Sequence, residues 1–146
     1  MRTPASIAGH PLHPMLIVFP VGLLVFSLIC DLISFGVEDI EPWVTVALYC
    51  MIGGFIGALI AAIPGFIDFG SLSDRLKKLA MTHMALNILV IVLYAINIGL
   101  RTSGYTHDAL PLYLSILGVA VLSVSGWLGA EMVHKHGVGV DFSPSE

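Results

Sequence analysis

Charged residues are scarce in this chain of 146 residues: they make up 11% of it, whereas hydrophobic residues make up 57%. A soluble domain of this size would carry about 25% charged residues. The surface that lacks charge must therefore face something other than water, and lipid is the obvious alternative. The net charge of −4, without any stripe of basic residues, argues against a nucleic-acid-binding surface.

The sequence also lacks the motifs of the common enzyme classes. It contains no Ser-His-Asp signature, no phosphate-binding glycine loop and no HExxH pair, so hydrolase and kinase activity have no support. Its two cysteines, Cys30 and Cys50, lie in apolar runs, without the spacing of a CxxC motif or a zinc finger. We expect both to be free thiols rather than a disulfide.

Four apolar runs are each long enough to cross the hydrocarbon core of a membrane, which takes about 20 residues. They cover roughly residues 15–36, 43–66, 79–100 and 110–132. Short loops between successive spans make neighbouring helices antiparallel. The sequence therefore predicts an all-α fold: one membrane domain over residues 1–146, built as an antiparallel four-helix bundle without an internal repeat.

The basic residues indicate how this bundle is oriented. Only Arg101 lies on the side of the first and third loops. Five basic residues lie on the side of both termini and of the middle loop: Arg2, Arg75, Lys77, Lys78 and Lys135. Since basic residues concentrate on the cytoplasmic side, we expect both termini to lie in the cytoplasm.

A polar stripe runs along the third span. His83, Asn87, Tyr94 and Asn97 fall within about 80° of one another on a helical wheel. Because lipid offers no hydrogen-bond partner, these side chains should face the interior of the bundle. They form either a network of interhelical hydrogen bonds or, around His83, part of a binding site. Asp31 in the first span is a further candidate, because acids inside membranes are costly.

Histidines gather at the end of the bundle that holds both termini. Five of the six histidines are expected there, with two carboxylates: His10, His13, His83, His134 and His136, with Asp68 and Glu131. Histidine is the commonest metal ligand and the usual axial ligand of haem b. Each of His10 and His13 precedes a proline, which favours extended backbone at the mouth of the bundle, whereas His83 should lie about 15 Å along its helix.

Three functions are compatible with this pattern. The first is electron transfer through haem b, or another redox metal, held by His83, with Asn87 beside it, and by one of His10, His13 or His134. The second is a structural or accessory subunit of a larger membrane complex without a cofactor, which the small residues in rows on the second and fourth spans favour. The third is the binding or transport of a transition metal ion. The candidate ligands for such an ion are His10, His13, His83, Asp68, Glu131 and His134. With so few titratable groups in the spans, a proton-coupled transporter would lack an obvious relay. Four helices would need to form a homodimer to build a two-sided transport path.

Four segments resemble a widespread bacterial family of predicted four-helix membrane proteins, catalogued as domain of unknown function 2231. They are GHPLHPMLIVFPVGLL at 9–24, PGFIDF at 64–69, THMALN at 82–87 and GWLGAEMVHKHGVGV at 126–140. The resemblance matches His10, His13 and His83 to histidines of the family. It also implies a redox setting and a redox protein as partner, because some members are fused or adjacent to Rieske-type proteins. This chain departs from the family at Val18, where relatives often have a histidine.

Overall fold

Residues 3–140, which the computed structural model describes, form four long helices. The helices are α1 (Leu12–Ser34), α2 (Glu41–Phe69), α3 (Asp74–Thr102) and α4 (Ala109–His134), and a two-stranded antiparallel pair, β1 (Ser6–Ile7) and β2 (His10–Pro11), precedes them. Each helix is long and apolar enough to cross a membrane, and most of each apolar stretch is exposed on the outside of the bundle. The prediction of an all-α membrane bundle with four helices is confirmed.

The helix ends differ from those that the apolar runs predict. The largest difference is at the start of α3, which begins at Asp74 rather than near residue 79. Its first turns carry Arg75, Lys77 and Lys78, so the helix continues beyond the hydrocarbon core into polar surroundings. Ser73 precedes it in the N-cap position with extended backbone, but its side chain makes no capping hydrogen bond.

The helices pack as two hairpins. α1 packs along α2 to form the N-terminal hairpin, and α3 packs along α4 to form the C-terminal hairpin, whereas α2 with α3 and α1 with α4 make smaller contacts. The centre of the bundle is filled by Leu24, Met51, Val90 and Tyr94. Large side chains elsewhere on the helices point outward into the region of lipid.

The two hairpins are structural repeats of each other, so the prediction of a bundle without an internal repeat is wrong. Residues 12–32 of α1 correspond to the residues 70 positions later in α3, the separation of Asp31 and Arg101. Equivalent residues of α2 and α4 are 64 positions apart, as Gly54 and Gly118 are. Leu24 packs against Gly54, where an added Cβ would lie 2.6 Å from the Leu24 Cδ2 atom. At the equivalent positions, Tyr94 packs against Gly118, where an added Cβ would lie 2.8 Å from the Cε2 atom of Tyr94.

Hydrogen bonds between the helices repeat in the same register. In the N-terminal hairpin, the Ser27 hydroxyl donates to the Ala47 carbonyl oxygen at 2.8 Å. In the C-terminal hairpin, the Asn97 amide donates to the Pro111 carbonyl oxygen at 3.0 Å. The sequence carries a trace of the repeat, since the pattern LYxxIxG occurs at residues 48–54 and again at residues 112–118.

A pseudo-two-fold axis therefore passes through the bundle. Because α1 and α3 run in the same direction, this axis lies along the membrane normal, as in transporters with parallel repeats. At a two-fold axis, a residue can contact its own equivalent. Two pairs of equivalent residues meet in this way, His13 with His83 near the end that holds both termini, and Asp31 with Arg101 near the opposite end.

Candidate functional site

Two of the predicted histidines meet on the pseudo-two-fold axis. The ring centres of His13 and His83 lie 6.2 Å apart, and the ring planes are at 89° to each other. The expected difference in depth between these residues is not found, because α1 begins only at Leu12, whereas α3 begins nine residues before His83. The later start of α1 brings His13 to the level of His83.

His13 is held by the neighbouring helix of its own hairpin. Its Nδ1 atom donates a hydrogen bond to the Ala61 carbonyl oxygen at 2.8 Å. One turn further along α2, Gly65 leaves room for the ring, since a Cβ there would lie 2.9 Å from Nδ1. The other ring nitrogen, Nε2, has no hydrogen-bond partner within residues 3–140.

His83 repeats this arrangement in the C-terminal hairpin. Its Nδ1 atom donates to the Ser125 carbonyl oxygen at 2.8 Å, and Gly129, one turn further along α4, lies beside the ring. A Cβ at Gly129 would lie 3.3 Å from the Cε1 atom of His83. Unlike that of His13, the Nε2 atom of His83 accepts a hydrogen bond from the side-chain amide of Asn87 at 2.9 Å.

These contacts determine where the ring protons sit. A carbonyl oxygen only accepts hydrogen bonds, so the Nδ1 atom of each of His13 and His83 carries the proton. In the neutral rings, Nε2 then presents a lone pair. Histidines that ligate metals almost always donate their other ring N–H to a carbonyl or carboxylate in this way.

The remaining histidines of the cluster lie apart from this pair. His10 is exposed, and its Nδ1 atom is 3.0 Å from the Ala8 carbonyl oxygen in the turn between β1 and β2. His134 and His136 are exposed at the end of α4 and just after it.

The two candidate carboxylates have partners of their own. Glu131 forms an ion pair with Lys135 at 3.0 Å, one turn along α4. Asp68 accepts a hydrogen bond from the Ala5 backbone N–H at 2.8 Å, which holds the segment before α1 against the end of α2. No group of three or more His, Cys, Asp or Glu side chains in the described part of the chain could hold a metal ion.

A second polar cluster lies at the opposite end of the axis. The Arg101 guanidinium donates two hydrogen bonds to the Asp31 carboxylate, at 2.8 and 2.7 Å, and both side chains are only 2% exposed. The Asn97 side-chain oxygen accepts a third hydrogen bond from Arg101 at 2.9 Å, and the Ser115 hydroxyl donates to Asp31 at 2.9 Å. Sequence reasoning identified Asp31 as a candidate but left Arg101 in the loop region, because the repeat that aligns the two residues was missed.

One buried polar group lies between the two clusters. The Tyr94 hydroxyl is buried with no hydrogen-bond partner among residues 3–140, and Tyr94 itself is 1% exposed. The polar stripe on α3 does point inward at Tyr94 and Asn97, which are both buried. The two cysteines are free thiols, as expected.

Val18, the position at which this chain differs from the family that it resembles, faces away from the histidine pair. Its side chain is 71% exposed on the outer surface of α1. A histidine at this position would point outward, toward lipid.

The fold and this site together define an integral membrane protein with four helices and a pair of equivalent histidines on its internal axis. The model of a family described as predicted membrane protein (DUF2231) matches residues 9–142. The chain belongs to this family, which confirms the resemblance found in the sequence. No curated protein and no solved structure matches the chain.

Proposed function

We propose that this protein binds haem b between His13 and His83 and transfers electrons at the membrane. The observation that carries the proposal is the repeated arrangement of the two histidines. Each donates its Nδ1 proton to a backbone carbonyl oxygen of the next helix, at 2.8 Å in both hairpins, and each has a glycine beside its ring. Such anchoring is typical of histidines that ligate a metal through Nε2.

The donor set favours haem over a bare metal ion. A protein-bound zinc ion usually takes three or four protein ligands, and no such group is found within residues 3–140. A haem iron needs only axial ligands from the protein. His13 and His83, whose ring centres lie 6.2 Å apart, would be the residues that hold the haem.

Two features of the site bear on how it would hold the group. Gly65 and Gly129 let α2 and α4 approach the imidazole rings closely, since an added Cβ would lie 2.9 Å from a ring atom of His13 at Gly65 and 3.3 Å from a ring atom of His83 at Gly129. Asn87 must release the Nε2 atom of His83 before that nitrogen can act as a ligand. When bound, haem b supplies a one-electron redox centre. The role of the chain is then to anchor both imidazoles, fix their tautomer and exclude water.

We further propose that the site lies near the cytoplasmic side of the bacterial inner membrane, with both termini in the cytoplasm. The support is the charge asymmetry: four described basic residues lie at the end of the bundle that holds the histidine pair, namely Arg75, Lys77, Lys78 and Lys135, whereas Arg101 lies at the other end. The fifth basic residue of that end, Arg2, lies outside the described residues. A redox protein that takes or gives electrons would then act at the cytoplasmic face.

The test is haem content and the visible spectrum of histidine variants purified in mild detergent. We expect His13→Ala and His83→Ala each to abolish or strongly shift the haem spectrum while the protein remains in the membrane. His134→Ala is the matched control, because this exposed histidine belongs to the same sequence cluster but lies away from the pair. A spectrum that survives both His13→Ala and His83→Ala would contradict the ligand assignment.

The same samples separate the other two functions. Bound metal without a Soret band would favour a metal-binding or transport protein over a haem protein. Neither haem nor metal, in protein shown not to have lost a cofactor during purification, would favour an accessory subunit of a larger complex.

A further inference from the structure

The contact between Asp31 and Arg101 stands out because the two residues occupy equivalent positions in the repeat. One is on α1 of the N-terminal hairpin, and the other is on α3 of the C-terminal hairpin. They meet on the pseudo-two-fold axis with opposite charges and a two-point hydrogen-bonded geometry, at 2.8 and 2.7 Å. At this level of the axis, the two equivalent residues carry opposite charges, whereas His13 and His83 are identical.

Because this pair is buried, its charges strongly affect which hairpins can pack together. Both side chains are 2% exposed, within a bundle whose outer surface is apolar. A buried charge without a partner is strongly unfavourable, whereas a hydrogen-bonded opposite charge compensates it. Two N-terminal hairpins packed on each other would place two carboxylates together on the axis, and two C-terminal hairpins would place two guanidinium groups together.

We propose that the ion pair of Asp31 and Arg101 determines which hairpins pack together. It favours packing of an N-terminal hairpin on a C-terminal hairpin over packing of two like hairpins. The axial face of the N-terminal hairpin fits a helical hairpin that carries a cation at the equivalent position. That partner is the C-terminal hairpin, from the same chain or from a second copy of the chain. The pair acts by excluding like-with-like packing as well as by its own attraction, as charged positions do in specific coiled coils.

The side chains around the pair suit a carboxylate on α1 and a guanidinium on α3, and not the reverse arrangement. Asn97 and Ser115 hold the guanidinium and the carboxylate from the C-terminal hairpin. The equivalent positions of the N-terminal hairpin are occupied by Ser27 and Met51, and the Ser27 hydroxyl is already used by the Ala47 carbonyl oxygen. Exchanging the two charges should therefore restore the pairing in part, but not fully.

Charge reversal in the full-length protein tests the proposal. We expect Asp31→Arg and Arg101→Asp, made singly, each to reduce the ratio of folded to unfolded protein by about a hundredfold or more. The double variant Asp31→Arg/Arg101→Asp should recover at least tenfold of that loss, on the order of one charge-assisted hydrogen bond. The matched control is the exposed pair Glu131 and Lys135, 3.0 Å apart, where single reversals should change little.

A mixed expression tests whether the recognition also works between copies. When the Asp31→Arg chain and the Arg101→Asp chain are produced together with different tags, hairpins exchanged between them satisfy both charge pairs. We expect these two chains to purify together and two differently tagged unmodified chains not to do so. A double reversal no more stable than the single reversals would overturn the proposal, as would mixed chains that fail to purify together.

Discussion

The glycine beside His13 provides a graded test of how tightly the histidine site is built. In Gly65→Ala, the new Cβ would lie 2.9 Å from the Nδ1 atom and 3.0 Å from the Cε1 atom of His13. Alanine in place of a helical glycine gains up to about 1 kcal/mol from helix propensity. Overpacking costs about 1–3 kcal/mol. Displacing the imidazole from the Ala61 carbonyl oxygen costs a further ~0.5–1.5 kcal/mol. We therefore expect a net loss of about 0.5–3.5 kcal/mol.

Two other glycines serve as matched controls for this substitution. At Gly129 the added Cβ would lie 3.3 Å from the Cε1 atom of His83, so Gly129→Ala should cost less than Gly65→Ala. At Gly22 no atom lies within 4 Å of the added Cβ, so Gly22→Ala should be neutral or stabilising. Thermal unfolding in detergent measures the order, since about 2–4 °C corresponds to 1 kcal/mol in a protein of about this size. If Gly65→Ala and Gly22→Ala have the same melting temperature, Gly65 does not pack closely against His13.

Three further predictions concern single side chains. Tyr94→Phe should leave the melting temperature unchanged or raise it, because the buried hydroxyl that it removes has no hydrogen-bond partner in the described part of the chain; a clear loss of stability would show that the hydroxyl is bonded. Asn87→Leu removes the donor to the Nε2 atom of His83 and should raise the occupancy of haem titrated into the detergent-solubilised protein, whereas lower occupancy would show that Asn87 helps to hold the ligand. Asp68→Ala removes the acceptor of the Ala5 N–H and should speed protease cleavage before α1, as measured by mass spectrometry, with an unchanged rate arguing against an anchoring role.

The composition of the chain was enough to predict the class of fold. Few charges and four long apolar runs leave a membrane bundle as the structure that satisfies all backbone polar groups. The helix ends were less accurate, because apolar runs report only the hydrocarbon core. The charged first turns of α3, from Asp74 to Lys78, continue the helix beyond that core.

The candidate site was predicted in its residue types but not in its geometry. The polar stripe placed His83 inside the bundle, and His13 was among its expected partners. The sequence did not show that these two histidines are equivalent, because few identical residues survive between the hairpins. Aligning LYxxIxG at 48–54 with residues 112–118, and then His13 with His83, would have revealed the repeat and with it the pairing of Asp31 and Arg101.

The reduced-minus-oxidised absorption spectrum of the unmodified protein, purified in mild detergent with haem and metal content determined on the same sample, tests the central claim most directly. We predict a Soret band shift and sharp α and β bands, with haem approaching one per chain, because His13 and His83 would together hold one haem b. A sample that retains its native fold, takes up no haem when haem is added, and shows no such bands would contradict haem binding at His13 and His83.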